Sequence, residues 1–260
     1  MIYETRGRAR EYFELAANLY SGCEHGCVYC FGPDILSKNR ADFVQRASPR
    51  KDAIKQLVRD ADRLSRRGET RHILLSFVTD PYQPADVYYQ LTRQAIEILH
   101  SSGLKVALLT KAGPLAARDF DLLERDDLFG QTLTLIDQRR SVVWEPNAAL
   151  PEARMANLKE AYLRGIGTWV SCEPVIDPME TLACISATAD YVQHYKVGTL
   201  NYPRKIPQDL RPVVERIDWK AFAQNVVILL NRLGKSYYIK KDLARFLRKP
   251  DGILVGGFPK

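Results

Sequence analysis

Long hydrophobic runs are missing from this 260-residue chain, and nothing in it approaches the roughly eighteen consecutive apolar residues of a membrane-spanning helix. The N-terminus, MIYETRGRAREYFELA, is charged and carries no apolar signal core, so the chain reads as soluble and cytoplasmic, with no membrane partner. Cysteine is scarce too. Five cysteines are too few for a dense disulfide scaffold and suit a reducing compartment. Nothing repeats at solenoid period. What is present, 46% hydrophobic residues over this length, suffices for one large domain, or a barrel-like fold with a short extension.

Charge is unevenly spread. The net charge of +7 comes from 38 basic against 31 acidic residues. Arg63, Arg66, Arg67 and Arg71 bunch together, as do Lys235, Lys240, Lys241, Arg245, Arg248 and Lys249. Such a balance is compatible with nucleic acid as a partner, and equally with solvated helix faces.

Three of the five cysteines fall within eight residues. Cys23, Cys27 and Cys30 make a C-x3-C-x2-C array inside LYSGCEHGCVYCFGP, where Gly22, Gly26 and Gly32-Pro33 predict a tight loop and not a helix. Three converging thiolates in an apolar and aromatic setting call for zinc or an iron–sulfur cluster. Zinc needs a fourth ligand: His25 has little slack to reach a shared ion, and no second cysteine pair follows at zinc-finger distance. A four-iron cluster on three cysteines leaves one iron open to a non-protein ligand. Cys172 and Cys184 are too few for a second cluster.

Short apolar runs alternate with helical patterns about six times. The strand-like segments are Tyr12 to Tyr20, HILLSF (72–77), LKVALLT (104–110), QTLTLID (131–137), GIGTWVSC (165–172) and DYVQHYKV (190–197). Between them the patterns predict helices opening at Ser48-Pro49, with Ile54, Leu57, Val58, Ala61 and Leu64 on one face, and over 87–100, 114–124, 154–163 and 178–186. The expected architecture is α/β, a partial (β/α)6 TIM-like barrel of parallel strands over 1–200 with the cysteine loop at 21–33. Residues 201–260 then form a mainly helical C-terminal extension, with Ser236 to Lys240 an edge strand, capping the barrel.

The cysteine array resembles the cluster loop of the radical S-adenosylmethionine (radical SAM) enzymes, C-x3-C-x-aromatic-C, with Tyr29 in the aromatic position. The resemblance implies a 4Fe–4S cluster on Cys23, Cys27 and Cys30, its open iron chelated by S-adenosylmethionine, and Tyr29 near the adenine. It also implies an electron donor such as a flavodoxin or ferredoxin. The Gly-Gly-Glu that many members carry after the second strand is missing. S-x-x-T-D-P-Y-Q-P (76–84) is similar instead to the branch related to spore photoproduct lyase, so Thr79 and Asp80 are expected to meet the cofactor's amino group; an Asp-Pro turn capping the next helix is the alternative.

In that branch Thr110-Lys111 places a lysine on the cofactor carboxylate, and Thr134 matches a hydroxyl that also reaches it. Glu145, held by Arg154, matches a Glu-Pro whose carboxylate accepts from cofactor hydroxyls, with a surface ion pair as the alternative. At the fifth strand end Cys172 and Glu173 are the catalytic candidates, Glu173 reading substrate where the lyase is apolar. Phe77 stands where the lyases have a hydrogen-donating cysteine, which leaves Cys172 as the only substitute thiol at a strand end. The expected function is reductive cleavage of S-adenosylmethionine to a 5′-deoxyadenosyl radical acting on an unidentified substrate, a nucleic-acid base or lesion among the options. A zinc-stabilised nucleic-acid-binding module is the alternative.

Overall fold

The alternation of short apolar runs and amphipathic helices produces a largely parallel sheet. The computed structural model describes residues 1–258. Its strands are β1 (Ile2–Glu4), β2 (Leu15–Ala17), β3 (Tyr20–Ser21), β4 (Ser48–Pro49), β5 (Ile73–Leu75), β6 (Val106–Thr110), β7 (Leu128–Thr132), β8 (Gly167–Cys172), β9 (His194–Val197), β10 (Ser236–Ile239) and β11 (Ile253–Val255). β3 and β4 pair as a small antiparallel ribbon, and the other nine form one sheet in the order β1-β2-β5-β6-β7-β8-β9-β10-β11. Every neighbouring pair from β2 to β10 is parallel, while β1 and β11 finish the two edges antiparallel.

The sheet curls. Four strand spacings separate β2 from β8, which is about 19 Å across a flat sheet. Yet the Phe13 ring, just before β2, lies 5.5 Å from the Trp169 ring on β8. The concave face packs Ala16, Leu74, Ala107, Leu128 and Trp169 against Tyr12 and Phe13. The alternate residues of the same strands, among them Leu15, Ile73, Leu75, Val106, Leu108 and Val170, face the helices Ala53–Ser65, Leu91–Ser101, Pro151–Leu163, Pro178–Thr188 and Trp219–Arg232. The result is an open, partial barrel.

Ala53–Ser65 shows how sequence makes the outer layer. Ala53, Leu57, Ala61 and Leu64 recur at helical spacing and are buried, each leucine contributing about 1.5–3 kcal/mol. Val58, expected on that face, is 47% exposed, and Ser48-Pro49 belongs to the β3–β4 ribbon and does not open the helix. The helix expected over 87–100 breaks at Gln90, whose φ of 46° separates Asp86–Tyr89 from Leu91–Ser101.

Two strand expectations need correction. The fourth parallel strand is Leu128–Thr132, not 131–137, so Thr134 lies in the loop beyond it. β10, expected as an edge strand, pairs with β9 on one side and β11 on the other, so the C-terminal residues extend the sheet itself.

Candidate active site

The cysteine loop leaves β3 and crosses the C-terminal ends of the parallel strands. Gly22 makes this turn with φ of 98°, and a Cβ there would sit 2.7 Å from the carbonyl oxygen of Arg46. The loop is not helical, as its glycines predict. Cys23 N–H donates to the Phe43 carbonyl at 2.9 Å and Val28 N–H to that of Trp144 at 2.9 Å. The Arg40 guanidinium donates to the carbonyls of Cys27 (3.0 Å), Cys30 (3.2 Å) and Val28, clamping the loop from behind.

Cys23, Cys27 and Cys30 line one cavity of about 590 Å³. Its wall collects a residue from almost every strand end: Ser76, Phe77, Thr79 and Asp80 after β5, Thr110 and Lys111 at β6, Thr132 at β7, Glu173 after β8, Asn201 after β9 and Lys240 after β10. Seven parallel strands aim their C-terminal ends at this space, where α/β barrels keep their chemistry.

The three thiols are held protonated as they stand. Burial pushes Cys27 up to about 12 and raises Cys23 and Cys30, and each thiol's neighbouring cysteines add to the rise at Cys23 and Cys27. Metal binding would reverse that, since ligation requires the thiolate. Among the described residues no three His, Cys, Asp or Glu side chains converge closely enough to share one metal ion.

The remaining wall fits a charged, polar ligand beside such a cluster. The Lys111 ammonium has no acidic or hydrogen-bonding partner among the described residues and sits 5.7 Å from the centre of the Tyr29 ring. Burial works to discharge it, but Cys27, once it is a thiolate, and the Glu145 carboxylate outweigh this and raise its pKa. The hydroxyls of Ser76 and Thr79 and the side-chain carbonyl of Asn201 are buried without a hydrogen-bond partner among the described residues, a costly state that a ligand relieves.

Other sequence candidates take different positions. Asp80 is already saturated: Thr110 Oγ1 donates to it at 2.6 Å, Lys111 N–H at 2.7 Å and Tyr82 N–H at 2.9 Å, with His25 Nε2 at 3.2 Å. Burial alone would raise its pKa, yet His25 and these donors bring it down to about 2. Asp80 therefore ties the cysteine loop, through His25, to the end of β6.

Thr134, Glu145 and Arg154 come together behind Tyr29 and off the cavity wall. Arg154 pairs with Glu145 at 2.6 Å, Thr134 Oγ1 donates to it at 3.1 Å, and the Tyr29 hydroxyl bonds the same carboxylate. All three are 1% exposed or less, so Glu145–Arg154 is no surface ion pair.

Cys172 requires correction. It is fully buried in the core under the helices, near Cys184, because alternation along β8 turns Trp169 and Ser171 to the concave side and Val170 and Cys172 away from it. Glu173, one residue on, does line the cavity, where Lys240 Nζ donates to Oε2 at 2.6 Å and the Tyr12 hydroxyl at 2.5 Å. Tyr12 and Lys240 were not candidates from sequence, because their partners lie 161 and 67 residues away.

Comparison with known proteins bears on the family and the fold. The radical SAM superfamily profile matches residues 17–192, from β2 almost to β9. An uncharacterized protein of Mycobacterium tuberculosis is 30% identical over 173 residues, covering 63% of this chain and 50% of that protein. An uncharacterized protein of Acidianus two-tailed virus is 27% identical over 178 residues, covering 63% of this chain and 56% of its own. The chain thus spans about half the length of the curated relatives it matches.

Among solved structures, spore photoproduct lyase complexed with dinucleoside spore photoproduct superposes with a TM-score of 0.66 at 13% identity, over 91% of this chain and 80% of that one. Streptococcus suis SuiB bound to S-adenosylmethionine gives 0.62 at 11% identity, over 86% and 49%. These likenesses are of fold. Members of the matched family use a 4Fe–4S cluster and S-adenosylmethionine. With the profile over more than half its length and the three cysteines at the mouth of a parallel partial barrel, the chain belongs to the radical SAM superfamily.

Proposed function

We propose that this chain is an S-adenosylmethionine-dependent radical enzyme whose cluster is held by Cys23, Cys27 and Cys30. The observation that carries the reading is one cavity joining three thiols, an unpartnered ammonium and two orphaned hydroxyls at the strand ends. When bound, cluster and S-adenosylmethionine supply reductive cleavage to methionine and a 5′-deoxyadenosyl radical, which abstracts hydrogen from substrate.

The protein's own residues bind, orient and exclude water. Lys111 holds the cofactor's carboxylate by a charge-assisted bond. Ser76 and Thr79 offer hydroxyls to its polar groups, and Tyr29 offers a ring face beside Lys111. Asp80 acts as a positioning residue through His25 and the Lys111 backbone. Phe31 and Phe77, 5.5 Å apart, keep part of the wall dry. The only thiols on this wall among the described residues are the three cluster cysteines, so substrate chemistry here proceeds without a cysteine relay.

The reductant is an electron donor of the flavodoxin or ferredoxin kind. For the substrate, a nucleic-acid base or lesion is supported by the net charge of +7 and by exposed Arg6 and Arg8 on the cavity rim.

Anaerobic reconstitution with iron and sulfide tests the reading. A broad visible absorbance and cleavage of S-adenosylmethionine under reductant are expected. One equivalent of zinc with no cleavage would establish the binding-module alternative.

A further inference from the structure

On the wall of the same cavity as Lys111, two side chains from distant parts of the chain meet at one carboxylate. Lys240 Nζ (2.6 Å) and the Tyr12 hydroxyl (2.5 Å) both bond Oε2 of Glu173, and Lys240 also lies 4.3 Å from the centre of the Tyr12 ring. Tyr12, Glu173 and Lys240 are 9%, 9% and 1% exposed, and all three line the cavity. The group is backed by bare backbone. A Cβ on Gly198 would lie 3.0 Å from Glu173 Cδ, 3.0 Å from Lys240 Cδ and 3.3 Å from Glu173 Oε1.

The pair leaves an acceptor and a donor unused, side by side. Glu173 Oε1 accepts no hydrogen bond among the described residues, and the Lys240 ammonium has three hydrogens with one committed to Oε2. Charge sets the ligand's character. A carboxylate and an ammonium 2.6 Å apart are neutral together, so a ligand anion meets a carboxylate as well as an ammonium and gains little net attraction. A neutral group with an N–H and a C=O satisfies both.

Direction narrows the class further. Oε1 and Oε2 share one carbon and Nζ lies 2.6 Å from Oε2, so Oε1 and Nζ are close neighbours that one ligand reaches together only with an N–H and a C=O on the same side. A trans peptide bond points them in opposite directions. Lactams, imides and primary carboxamides present them together.

We infer that Glu173 and Lys240 form a substrate subsite for a cis-amide edge, with the ligand N–H donating to Glu173 Oε1 and Lys240 donating to the ligand carbonyl. Tyr12 is the positioning residue, its hydroxyl holding Oε2 and so the orientation of the carboxylate. The inference rests on the radical SAM reading for what else fills the cavity, and among nucleobases it favours those that carry a keto group beside a ring N–H.

The test uses the cluster-reconstituted protein saturated with S-adenosylmethionine and follows probe binding by ligand-observed NMR titration. Glutarimide and δ-valerolactam are the probes; N-methylglutarimide, N-methylacetamide and glutarate are the controls. The two probes are expected to bind at least about tenfold tighter than every control, the scale of one lost buried hydrogen bond. Glu173→Gln and Lys240→Met should each remove that preference while cluster absorbance and S-adenosylmethionine affinity stay at wild-type values.

Because either single change leaves a buried charge unpaired, Glu173→Leu/Lys240→Met is measured beside them as a neutral pair that must also lose the preference. Equal binding of glutarimide and N-methylglutarimide, tighter binding of glutarate, or a preference surviving in the double variant would overturn the subsite. Failure of the wild type to assemble a cluster or bind S-adenosylmethionine would instead overturn the enzyme reading beneath it.

Discussion

In the proposed reading Lys111 is the residue on which cofactor retention turns, because among the described residues it is the cavity's ammonium without an anion, whereas Lys240 already has one. Lys111→Met is expected to weaken S-adenosylmethionine binding by about 1.5–3 kcal/mol, the worth of a charge-assisted hydrogen bond, with the cluster intact; equilibrium dialysis reads it. Unchanged affinity would mean the carboxylate binds elsewhere. Cys23→Ala, Cys27→Ala or Cys30→Ala should each abolish cluster assembly, while Cys172→Ala leaves iron content as it was, since Cys172 faces the helices. The cysteines were legible because ligand spacing is a local property of the chain. Lys111 was legible too, as a lysine ending an apolar strand. Tyr12 and Lys240 were not, because nothing near either residue signals a carboxylate that only the closed fold brings within 2.6 Å.

Among the elements, the helix Pro151–Leu163 shows what a buried ion pair does for a strand end. Arg154, in its first turn, donates to the Ala149 carbonyl at 2.7 Å and to that of Thr132, the last residue of β7, at 3.0 Å, besides pairing with Glu145. Removing the guanidinium strands a buried carboxylate, so Arg154→Met is expected to cost about 3–5 kcal/mol in urea unfolding of the apoprotein. A loss under 1 kcal/mol would show that water replaces it. β7 itself was misplaced in the sequence because Thr132, Leu133, Thr134 and Leu135 carry the period-2 alternation on past Thr132, where the ladder ends. β10 was read as an edge for a similar reason. Its burial alternates, with Tyr237 and Ile239 buried and Ser236 and Tyr238 half-buried, a pattern that gives no hint of partners on both sides.

At the scale of the whole molecule, the open side of the barrel is fastened by Lys196 on β9. Its ammonium donates to the carbonyls of Glu11 (2.9 Å) and Tyr12, pinning the N-terminal segment to the concave face among the rings of Phe13, Trp169, Tyr238 and Phe258. Burial, reinforced by the charge of Lys240, brings its pKa down to about 7, against roughly 10.4 in an unfolded chain. Between those values the unfolded state binds more protons than the folded one, so this lysine makes stability rise with pH from about 7 to about 10. Below pH 7 both states are protonated and the full cost of burying the charge is present; above about 10 both are neutral and it is gone. The buried cysteines act in the opposite sense, because their raised folded pKa values favour unfolding as pH climbs past about 8.5. Comparison with a variant isolates the lysine. Urea midpoints of the apoprotein at pH 7, 8 and 9 should rise more steeply, or fall less steeply, for the wild type than for Lys196→Met. The loss of two hydrogen bonds offsets the variant's curve without changing its slope. Parallel curves would mean that the aromatic rings and carbonyls hold the ammonium charged throughout this range, and that closure of the barrel does not respond to pH through Lys196.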